Sequence, residues 1–292
     1  MRLVTFSGPG EGAPRLGALC DDSVVDLAAA GVASNVLELI GGGEGTLGRA
    51  KDATEEAAQI PHDRVRLHAP IPRPPKHVLC VGRNYREHAT EFTRAGFDAS
   101  ERSVVPEHPV IFTKAPTSIV GPQEPIVLEN DPTGTTDYEG ELAVVIARGG
   151  RRISPGDALD HVFGYTIVND VTARDLQHRH VQWFLGKSPD TFCPMGPAVV
   201  TTDELPEIGA SWLRTHVNGE LRQEAPISDL IFNVPTLIAT ISAATSLEPG
   251  DVIATGTPVG TGMGFDPPRF LAPGDRVEVS IDGIGTLGNP VR

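Results

Sequence analysis

Two glutamates stand two positions apart at the start of an apolar run. Glu139 and Glu141 introduce the run 142–146, which is typical of a buried β-strand. Because side chains at positions i and i+2 of a strand point to the same face, the two carboxylates are predicted to lie side by side. Neighbouring carboxylates repel each other unless a proton or a cation lies between them. The pair by itself is equally consistent with an exposed strand edge and with a metal site.

A third carboxylate, Asp170, follows the strand-like run 165–169 and comes directly before a predicted helix. An acid at such a place commonly serves only as a partner for the amides of the helix. The alternative is that it converges with Glu139 and Glu141. Three carboxylates suit Mg²⁺ or Mn²⁺ and leave positions open for water and substrate. Spacing along the chain does not establish this convergence, so the metal site is a hypothesis about the fold.

Three polar residues after Asp170 are candidates for ligand contacts. Arg174 and Gln177 lie three positions apart and share a face of the predicted helix, either as ligand contacts or as surface residues. Lys187 lies in a Gly-Lys-Ser triplet, but a phosphate-binding loop requires an earlier glycine, where this chain has Val181, and a helix afterwards. We therefore interpret the lysine as a candidate cation for a developing oxyanion.

A further polar cluster at 81–91 contains a histidine and a glutamate three positions apart. If residues 85–95 form a helix, His88 and Glu91 can form a hydrogen bond. A carboxylate that orients an imidazole is a common way to hold a general base. The alternative is a solvated surface pair. The polar segment 96–107 that follows is predicted to be a loop and a candidate lid over the site.

A strand-like run at 252–255 leads into a turn rich in glycine and threonine. A dinucleotide-binding fingerprint requires a helix next, which Pro267 and Pro268 disfavour. Backbone amides and threonine hydroxyls at such a strand end can instead hold a carboxylate. The chain has no Gly-x-Ser-x-Gly elbow, and no nucleophile motif surrounds a cysteine.

The elements that must position these residues are mostly short strands. The 32 glycines and 26 prolines favour strands and turns over a helical bundle. The predicted strands are 2–7, 15–27 with a turn at 21–23, 77–81, 110–112, 139–146, 162–168, 198–200, 213–217, 252–255 and 276–281. The predicted helices are 35–40, 52–59, 85–95, 172–185 (opened by a capping box of Thr172 and Asp175) and 232–243.

A proline-rich segment at 70–75 divides the chain. Proline fixes φ and biases the residue before it away from the helical region, so this segment is predicted to be a stiff, extended spacer. We therefore place a small N-terminal domain at 1–72 and a second domain at 73–292. The first domain contains no catalytic motif, and we assign it a structural role.

Composition disfavours several classes of function. Lys plus Arg number 24 against 38 Asp plus Glu, and the formal net charge of −14 argues against a nucleic-acid or anionic-membrane partner. An anionic small substrate remains compatible if a cation lies in its site. The three cysteines are far apart, which predicts neither a zinc site nor a disulfide framework. The sequence shows neither an apolar leader nor 18 consecutive apolar residues, so we expect a cytoplasmic location.

Six segments of the second domain, taken in order, resemble the fumarylacetoacetate hydrolase superfamily, in particular its bacterial acylpyruvase, oxaloacetate decarboxylase and hydroxymuconate isomerase branch. The resemblance implies an α+β fold, namely a β-rich mixed β-sandwich roll with peripheral helices and an added small N-terminal α/β domain. It also implies a homodimer that binds Mg²⁺ or Mn²⁺. The matching segments are Val81-Gly-Arg-Asn-Tyr85 with His88, Asp137-Tyr-Glu-Gly-Glu141, Asn169-Asp-Val-Thr-Ala-Arg-Asp-Leu-Gln177, Leu185-Gly-Lys-Ser188, Val217-Asn-Gly-Glu-Leu-Arg-Gln223 and Thr255-Gly-Thr-Pro258.

The resemblance implies roles for individual residues and a reaction. It assigns the metal to Glu139, Glu141 and Asp170, catalysis to His88, Glu91 and Lys187, and substrate contacts to Arg174, Gln177 and Thr257. The implied reaction is metal-dependent cleavage of the C3–C4 bond of a short β-keto acid through a pyruvate enolate. Oxaloacetate decarboxylation and acylpyruvate hydrolysis both fit, and the expected partner is a small anionic keto acid. The alternatives are a 2-hydroxymuconate-type isomerase or tautomerase and a non-catalytic metal-binding homologue.

Overall fold

The structure is a computed structural model that describes residues 1–8, 12–96 and 105–292. The strands are Arg2–Ser7 (β1), Arg15–Cys20 (β2), Ser23–Val25 (β3), Gln59–Pro61 (β4), Arg66–His68 (β5), Val78–Gly82 (β6), Val110–Lys114 (β7), Ile119–Val120 (β8), Thr136–Asp137 (β9), Gly140–Ile146 (β10), Val162–Asn169 (β11), Thr172–Ala173 (β12), Cys193–Thr201 (β13), Trp212–Val217 (β14), Glu220–Pro226 (β15), Val252–Ala254 (β16), Arg276–Ile281 (β17) and Gly285–Pro290 (β18). The helices are Val36–Gly41 (α1), Gly43–Glu56 (α2), Arg86–Arg94 (α3), Arg174–Arg179 (α4), Phe184–Lys187 (α5) and Val234–Ala244 (α6). The predicted class, a β-rich mixed fold with few helices, is confirmed.

Two sheets form the frame of the described residues. The larger one contains twelve strands, and its path runs β4-β3-β2-β1-β13-β11-β10-β16-β6-β7, with β5 paired to β1 and β8 to β13. It is mixed, because β16 pairs with β6 and β13 with β8 in parallel, whereas the other pairs are antiparallel. The smaller sheet is antiparallel in the order β15-β14-β17-β18. The short strands β9 and β12 pair separately.

The smaller sheet packs against the larger one over β10. All seven residues of β10 are buried, which explains why its sequence is continuously apolar after Glu141 instead of alternating. A Cβ atom at Gly140 would overlap Thr215 of β14 and Val279 of β17, so this close approach requires glycine. The start of β10, where the two glutamates lie, is therefore held by both sheets.

The N-terminal strands extend the larger sheet. β1 pairs antiparallel with β13, with Arg2 opposite Val200 and Leu3 opposite Val199. Strands on the two sides of residue 72 are thus hydrogen-bonded to each other. Leu3, Leu39 of α1 and Val199 also belong to one core cluster. The division of the chain into domains 1–72 and 73–292 stays a prediction.

The prediction of one long helix over 172–185 is wrong. The chain forms strand β12, the short helix α4 and, after a break, the short helix α5. Thr172 does not cap a helix, because its hydroxyl donates to the carbonyl of Asp170 and its backbone pairs with Asp137. Val181, with a φ of 61°, lies in the left-handed region that a β-branched residue rarely adopts. The predicted capping box is therefore wrong as well.

Two other predicted helices are capped as their sequences indicate. Asn35 before α1 and Asn233 before α6 each accept an N–H from the first turn of the helix. The polar helix predicted at 52–59 is too short, since α2 already begins at Gly43 and ends at Glu56. Among the described residues, no helix has the length and apolar character needed to cross a membrane.

Candidate metal centre

The ends of β10 and β11 bring Glu139, Glu141 and Asp170 together. The two strands are antiparallel, and Gly140 pairs with Asn169. Asp170 follows directly, and its N–H donates to the carbonyl of Glu139 at 2.8 Å. The side chain of Asn169 accepts the N–H of Glu139 at 3.0 Å. The strand register therefore places the third acid beside the pair, which spacing along the chain alone does not show.

All three carboxylates are buried and close to one another. One oxygen of each lies within 4.8 Å of the other two. Glu139 is 4% exposed, Glu141 1% and Asp170 0%, which excludes an exposed strand edge for the glutamate pair. Three convergent carboxylate oxygens form the hard donor set that Mg²⁺ and Mn²⁺ prefer. The residues present thus fit a divalent cation, and their assignment as its ligands stays a prediction.

Two buried lysines contact the triad. Lys187 at the end of α5 donates to Glu139 Oε2 at 2.7 Å and to Asp170 Oδ2 at 2.8 Å. Lys114 at the end of β7 lies 2.7 Å from Asp170 Oδ1 and donates to the carbonyls of Val171 and Lys187. Since an unpaired buried charge is costly, each lysine both neutralises the acids and is held by them. Lys114 also ties β7 to the segments that carry Asp170 and Lys187.

Arg174 binds the other oxygen of Glu139. Its Nη1 lies 2.6 Å from Glu139 Oε1, and its Nε and Nη2 lie 2.9 and 2.8 Å from Asp137 Oδ2. Asp137 also accepts the N–H groups of Gly262 and Met263 at 2.7 and 3.0 Å. Arg174 is fully buried against these protein carboxylates. Its predicted contact with substrate stays a prediction.

In the ion-pair network around the triad, as the described residues show it, carboxylates outnumber cations by one. Four buried carboxylates (Asp137, Glu139, Glu141 and Asp170) face three buried cations (Lys114, Arg174 and Lys187). Burial, together with Asp170 and Glu139, raises the pKa of Glu141 well above its ordinary value. Burial also favours the protonated form of Glu139, but Lys187 and Arg174 outweigh it and lower that pKa. Glu141 is thus the acid whose charge a divalent cation would compensate.

His88 and Glu91 form a buried pair on α3. His88 Nδ1 lies 3.0 Å from Glu91 Oε2, and the residues are 3% and 6% exposed, which excludes a solvated surface pair. Glu91 also accepts the hydroxyl of Thr261 and the N–H of Gly260. Burial favours protonated Glu91, but these hydrogen bonds and His88 lower its pKa. A carboxylate at Nδ1 holds the proton there and leaves a lone pair on Nε2, the form of a general base.

A narrow cleft of about 10 Å³, partly open to solvent, connects Glu139 and Glu141 to His88. The predicted site residues that line it are His88, Glu139, Glu141, Gln177, Lys187 and Thr257. Phe92, Phe112 and Trp183 line it as well, and the rings of Phe112 and Trp183 pack edge to face at 5.2 Å.

Gln177 and Thr257 are held in the cleft by protein contacts. The carbonyl oxygen of Gln177 accepts Arg174 Nη1 at 3.2 Å, which leaves its NH₂ group as a donor. The hydroxyl of Thr257 donates to the carbonyl of Gly140 and accepts the Gln223 amide. Both side chains are almost fully buried. Their predicted contacts with substrate stay predictions.

Sequence reasoning missed two buried charges of the ion-pair network around the triad. Lys114 is the one charged residue of the largely apolar run 110–114, and a charge in such a run was the sequence feature that could have indicated a buried ion pair. Asp137 lies next to the recognised glutamate pair, yet only the structure shows that it anchors Arg174. Of the predicted lid at 96–107, residues 97–104 lie outside the described residues.

Residues 77–292 match the family model of the fumarylacetoacetate (FAA) hydrolase C-terminal domain. This chain belongs to the fumarylacetoacetate hydrolase family. The predicted family is confirmed, and so is the fold class that it implies.

Three named relatives align with most or all of this chain. Oxaloacetate tautomerase YisK of Bacillus subtilis (strain 168) is 48% identical over 89% of this chain and 87% of its own length. Fumarylacetoacetate hydrolase from Exiguobacterium antarcticum is 42% identical, with a TM-score of 0.85 over 100% of this chain and 99% of its own. Maleylpyruvate hydrolase from Sphingobium sp. SYK-6, solved with manganese(II) and pyruvate, is 31% identical, with a TM-score of 0.81 over 100% and 98%. The family therefore contains hydrolases and tautomerases.

Proposed function

We propose that this protein is a divalent-cation-dependent enzyme that transfers a proton at C3 of a short 2-oxo acid, with keto–enol tautomerisation of oxaloacetate as its reaction. The observation that carries the proposal is one cleft lined by buried carboxylates and by a histidine oriented as a base. The 48% identity to an oxaloacetate tautomerase supports the choice among the family's reactions.

Glu139, Glu141 and Asp170 would hold the cation, and Mg²⁺ or Mn²⁺ fits their oxygens. A divalent cation there supplies Lewis-acid stabilisation of negative charge on a carbonyl oxygen. Lys187 lowers the pKa of Glu139, donates to Asp170 and adds a positive charge to the cleft. Electrostatic stabilisation of this kind is commonly the largest part of a catalytic effect.

His88 moves the proton. Its Nε2 accepts a proton from C3, the C–H electron pair forms the C2–C3 double bond, and the carbonyl pair moves onto the C2 oxygen. The imidazolium then gives its Nε2 proton to that oxygen, which forms the enol and regenerates neutral His88, and the reverse steps return the ketone. Glu91 holds the ring in place and stabilises the imidazolium that forms. No bond between carbon atoms breaks in this reaction.

A second candidate is cleavage of the C3–C4 bond, either by decarboxylation or by hydrolysis of an acylpyruvate. The same pair, His88 with Glu91, can activate water for attack at C4. A maleylpyruvate hydrolase with the same fold, solved with manganese(II) and pyruvate, supports this possibility. Both candidates need the same cation and the same small anionic keto acid. A cytoplasmic location and a homodimer stay predictions.

One assay separates the candidates. Oxaloacetate is added as its enol to the metal-free protein, to the protein with Mg²⁺ or Mn²⁺, and to a sample with excess chelator. Loss of the enol absorbance is followed beside coupled detection of pyruvate, and acetylpyruvate is tested in parallel. Tautomerisation predicts metal-dependent enol loss faster than pyruvate release. Stoichiometric pyruvate would favour cleavage, and the absence of any metal-dependent change would contradict both candidates.

A further inference from the structure

Arg83 lies in the same cleft but has no role among the predicted site residues. It follows β6 and precedes α3, the helix that carries His88. It lines the cleft together with Glu139, Glu141 and Lys187, and it is 8% exposed. Arginine is rarely buried this far unless a charge partner or a function requires it. Its side chain therefore belongs to the wall of the cleft that also contains Glu139 and Glu141.

The backbone holds Arg83 in a conformation that arginine rarely adopts. Its φ of 57° lies in the left-handed region. The next residue, Asn84, is fully buried and donates to the carbonyls of Phe232 and Thr255 at 3.0 and 2.7 Å. Asn84 also accepts the N–H of Phe232 at 2.8 Å. These bonds fix the turn, and strained residues held in this way cluster at ligand-binding positions.

An aromatic surface lies next to this turn. A Cβ atom at Gly82 would lie 2.5 Å from the Trp183 ring, so glycine is needed for the indole to approach the backbone beside Arg83. Trp183 packs against Phe112 and Phe92. Rings that exclude water lower the local dielectric and strengthen an ion pair formed there. Charge on a ligand group near Arg83 is therefore recognised strongly.

The charges of the cleft show what Arg83 can recognise. Glu139 and Glu141 repel any further carboxylate, and Lys187 already bridges Glu139 and Asp170. A substrate with a second carboxylate therefore needs another cation for that group. The guanidinium has five N–H donors, enough to bind a carboxylate through two parallel bonds while keeping contacts with the protein.

We propose that Arg83 binds the second carboxylate of the substrate and so selects short 2-oxo dicarboxylates over 2-oxo monocarboxylates. The inference rests on the proposed function, because it takes the 2-oxo acid group to lie at the acid triad. It assigns Arg83 to recognition of the C4 carboxylate, which is bonded to the carbon that loses its proton.

The test compares oxaloacetate with pyruvate, the same 2-oxo acid without the second carboxylate. The KM of oxaloacetate and the inhibition constant of pyruvate are measured for wild type, Arg83→Met and Arg83→Lys. Loss of a charged hydrogen-bonded pair predicts a KM about 10- to 100-fold higher in Arg83→Met. The inhibition constant of pyruvate should change by less than about threefold, and Arg83→Lys should restore part of the affinity.

Arg86→Met is the matched control, since Arg86 is exposed on α3 three residues further along the chain and should leave both constants unchanged. Thermal unfolding shows whether each variant is folded, and Arg83→Lys keeps the test decisive if Arg83→Met is not. Equal changes for oxaloacetate and pyruvate, or no change for either, would overturn the role of Arg83. A wild-type protein that does not act on oxaloacetate with either cation would instead contradict the proposed function.

Discussion

The acid triad and the aromatic part of the cleft are built in different ways. Glu139, Glu141 and Asp170 lie where two paired strands of the larger sheet meet, and buried cations or backbone N–H groups hold each of them. Trp183 instead lies in the break between two short helices, beside Val181, which is 76% exposed. Rigid strands position chemistry accurately, whereas irregular connections vary readily. The sheet therefore sets the class of reaction, and the connections shape the cleft around the substrate.

The largest loss of turnover should come from replacement of Glu141, the carboxylate for which the network contains no matching cation. Glu141→Gln is nearly isosteric, keeps an acceptor for the Gly256 N–H and removes the charge that a cation would balance. We expect turnover to fall by about 1,000-fold or more, since charge stabilisation in the cleft is lost. The metal-free variant should be about as stable as wild type, because the amide replaces a carboxyl group whose charged form burial already disfavours. Enzyme kinetics and thermal unfolding measure the two effects.

These two readouts together decide the role of Glu141. Full activity in Glu141→Gln would remove this residue from the cation site. A strongly destabilised metal-free variant would mean that the carboxylate stabilises the fold rather than serving a ligand. Either result would contradict the view that the acid triad serves the reaction whereas the aromatic part of the cleft shapes the space around the substrate.

The second-largest loss of turnover should come from replacement of His88. His88→Ala removes the base but none of the triad, so turnover should fall by about 100-fold or more while cation affinity stays close to that of wild type. Hydrolysis of an acylpyruvate should suffer more than decarboxylation of oxaloacetate, because only hydrolysis must activate water. Glu91→Gln should show a smaller loss of the same kind. Equal losses for both cleavage reactions would assign the pair another task, such as closure of the site.

Lys114 tests how firmly the sheet holds the triad. Lys114→Met leaves Asp170 with only Lys187 beside it and removes the donor to the carbonyls of Val171 and Lys187. Residues that orient metal ligands are typically worth about 10- to 100-fold in metal affinity, so Mn²⁺ affinity should fall by that factor. The free energy of unfolding should also fall, by about 3–5 kcal/mol.

A matched lysine on the surface controls for this change. Lys51 is half-exposed and paired with Asp203. Replacement of Lys51 by Met should lower the free energy of unfolding by less than about 0.5 kcal/mol and leave the Mn²⁺ affinity of the protein unchanged. If Lys114→Met behaved like Lys51→Met, the buried ion pair would have no part in positioning Asp170.

The smallest effect should come from the aromatic part of the cleft. Trp183→Leu removes packing against Phe92 and Phe112 but no charge. Mn²⁺ affinity should be unchanged, and kcat/KM for oxaloacetate should fall by less than about tenfold, mainly through KM. A loss as large as that of Glu141→Gln would show that the rings take part in the chemistry and would remove the contrast between the two regions.

The sequence predicted the triad better than the elements beside it. The spacing of two positions between Glu139 and Glu141 and the strand that ends at Asn169 made the convergence of three acids a testable hypothesis, and the six ordered segments indicated the family. The helix over 172–185 was wrong because tertiary contacts override local propensity there, as the pairing of Thr172 with Asp137 shows. Lys114 was not predicted, since its partners come from segments 57 and 73 residues further along the chain.

The central claim is that Glu139, Glu141 and Asp170 hold one divalent cation. The most direct test is an equilibrium titration of Mn²⁺ into the metal-free wild-type protein and into Asp170→Asn, read by the electron paramagnetic resonance signal of free Mn²⁺. Wild type should bind one Mn²⁺ per chain, and Asp170→Asn should lose that site while remaining folded. Equal binding by the two proteins, or no binding by wild type, would contradict the account.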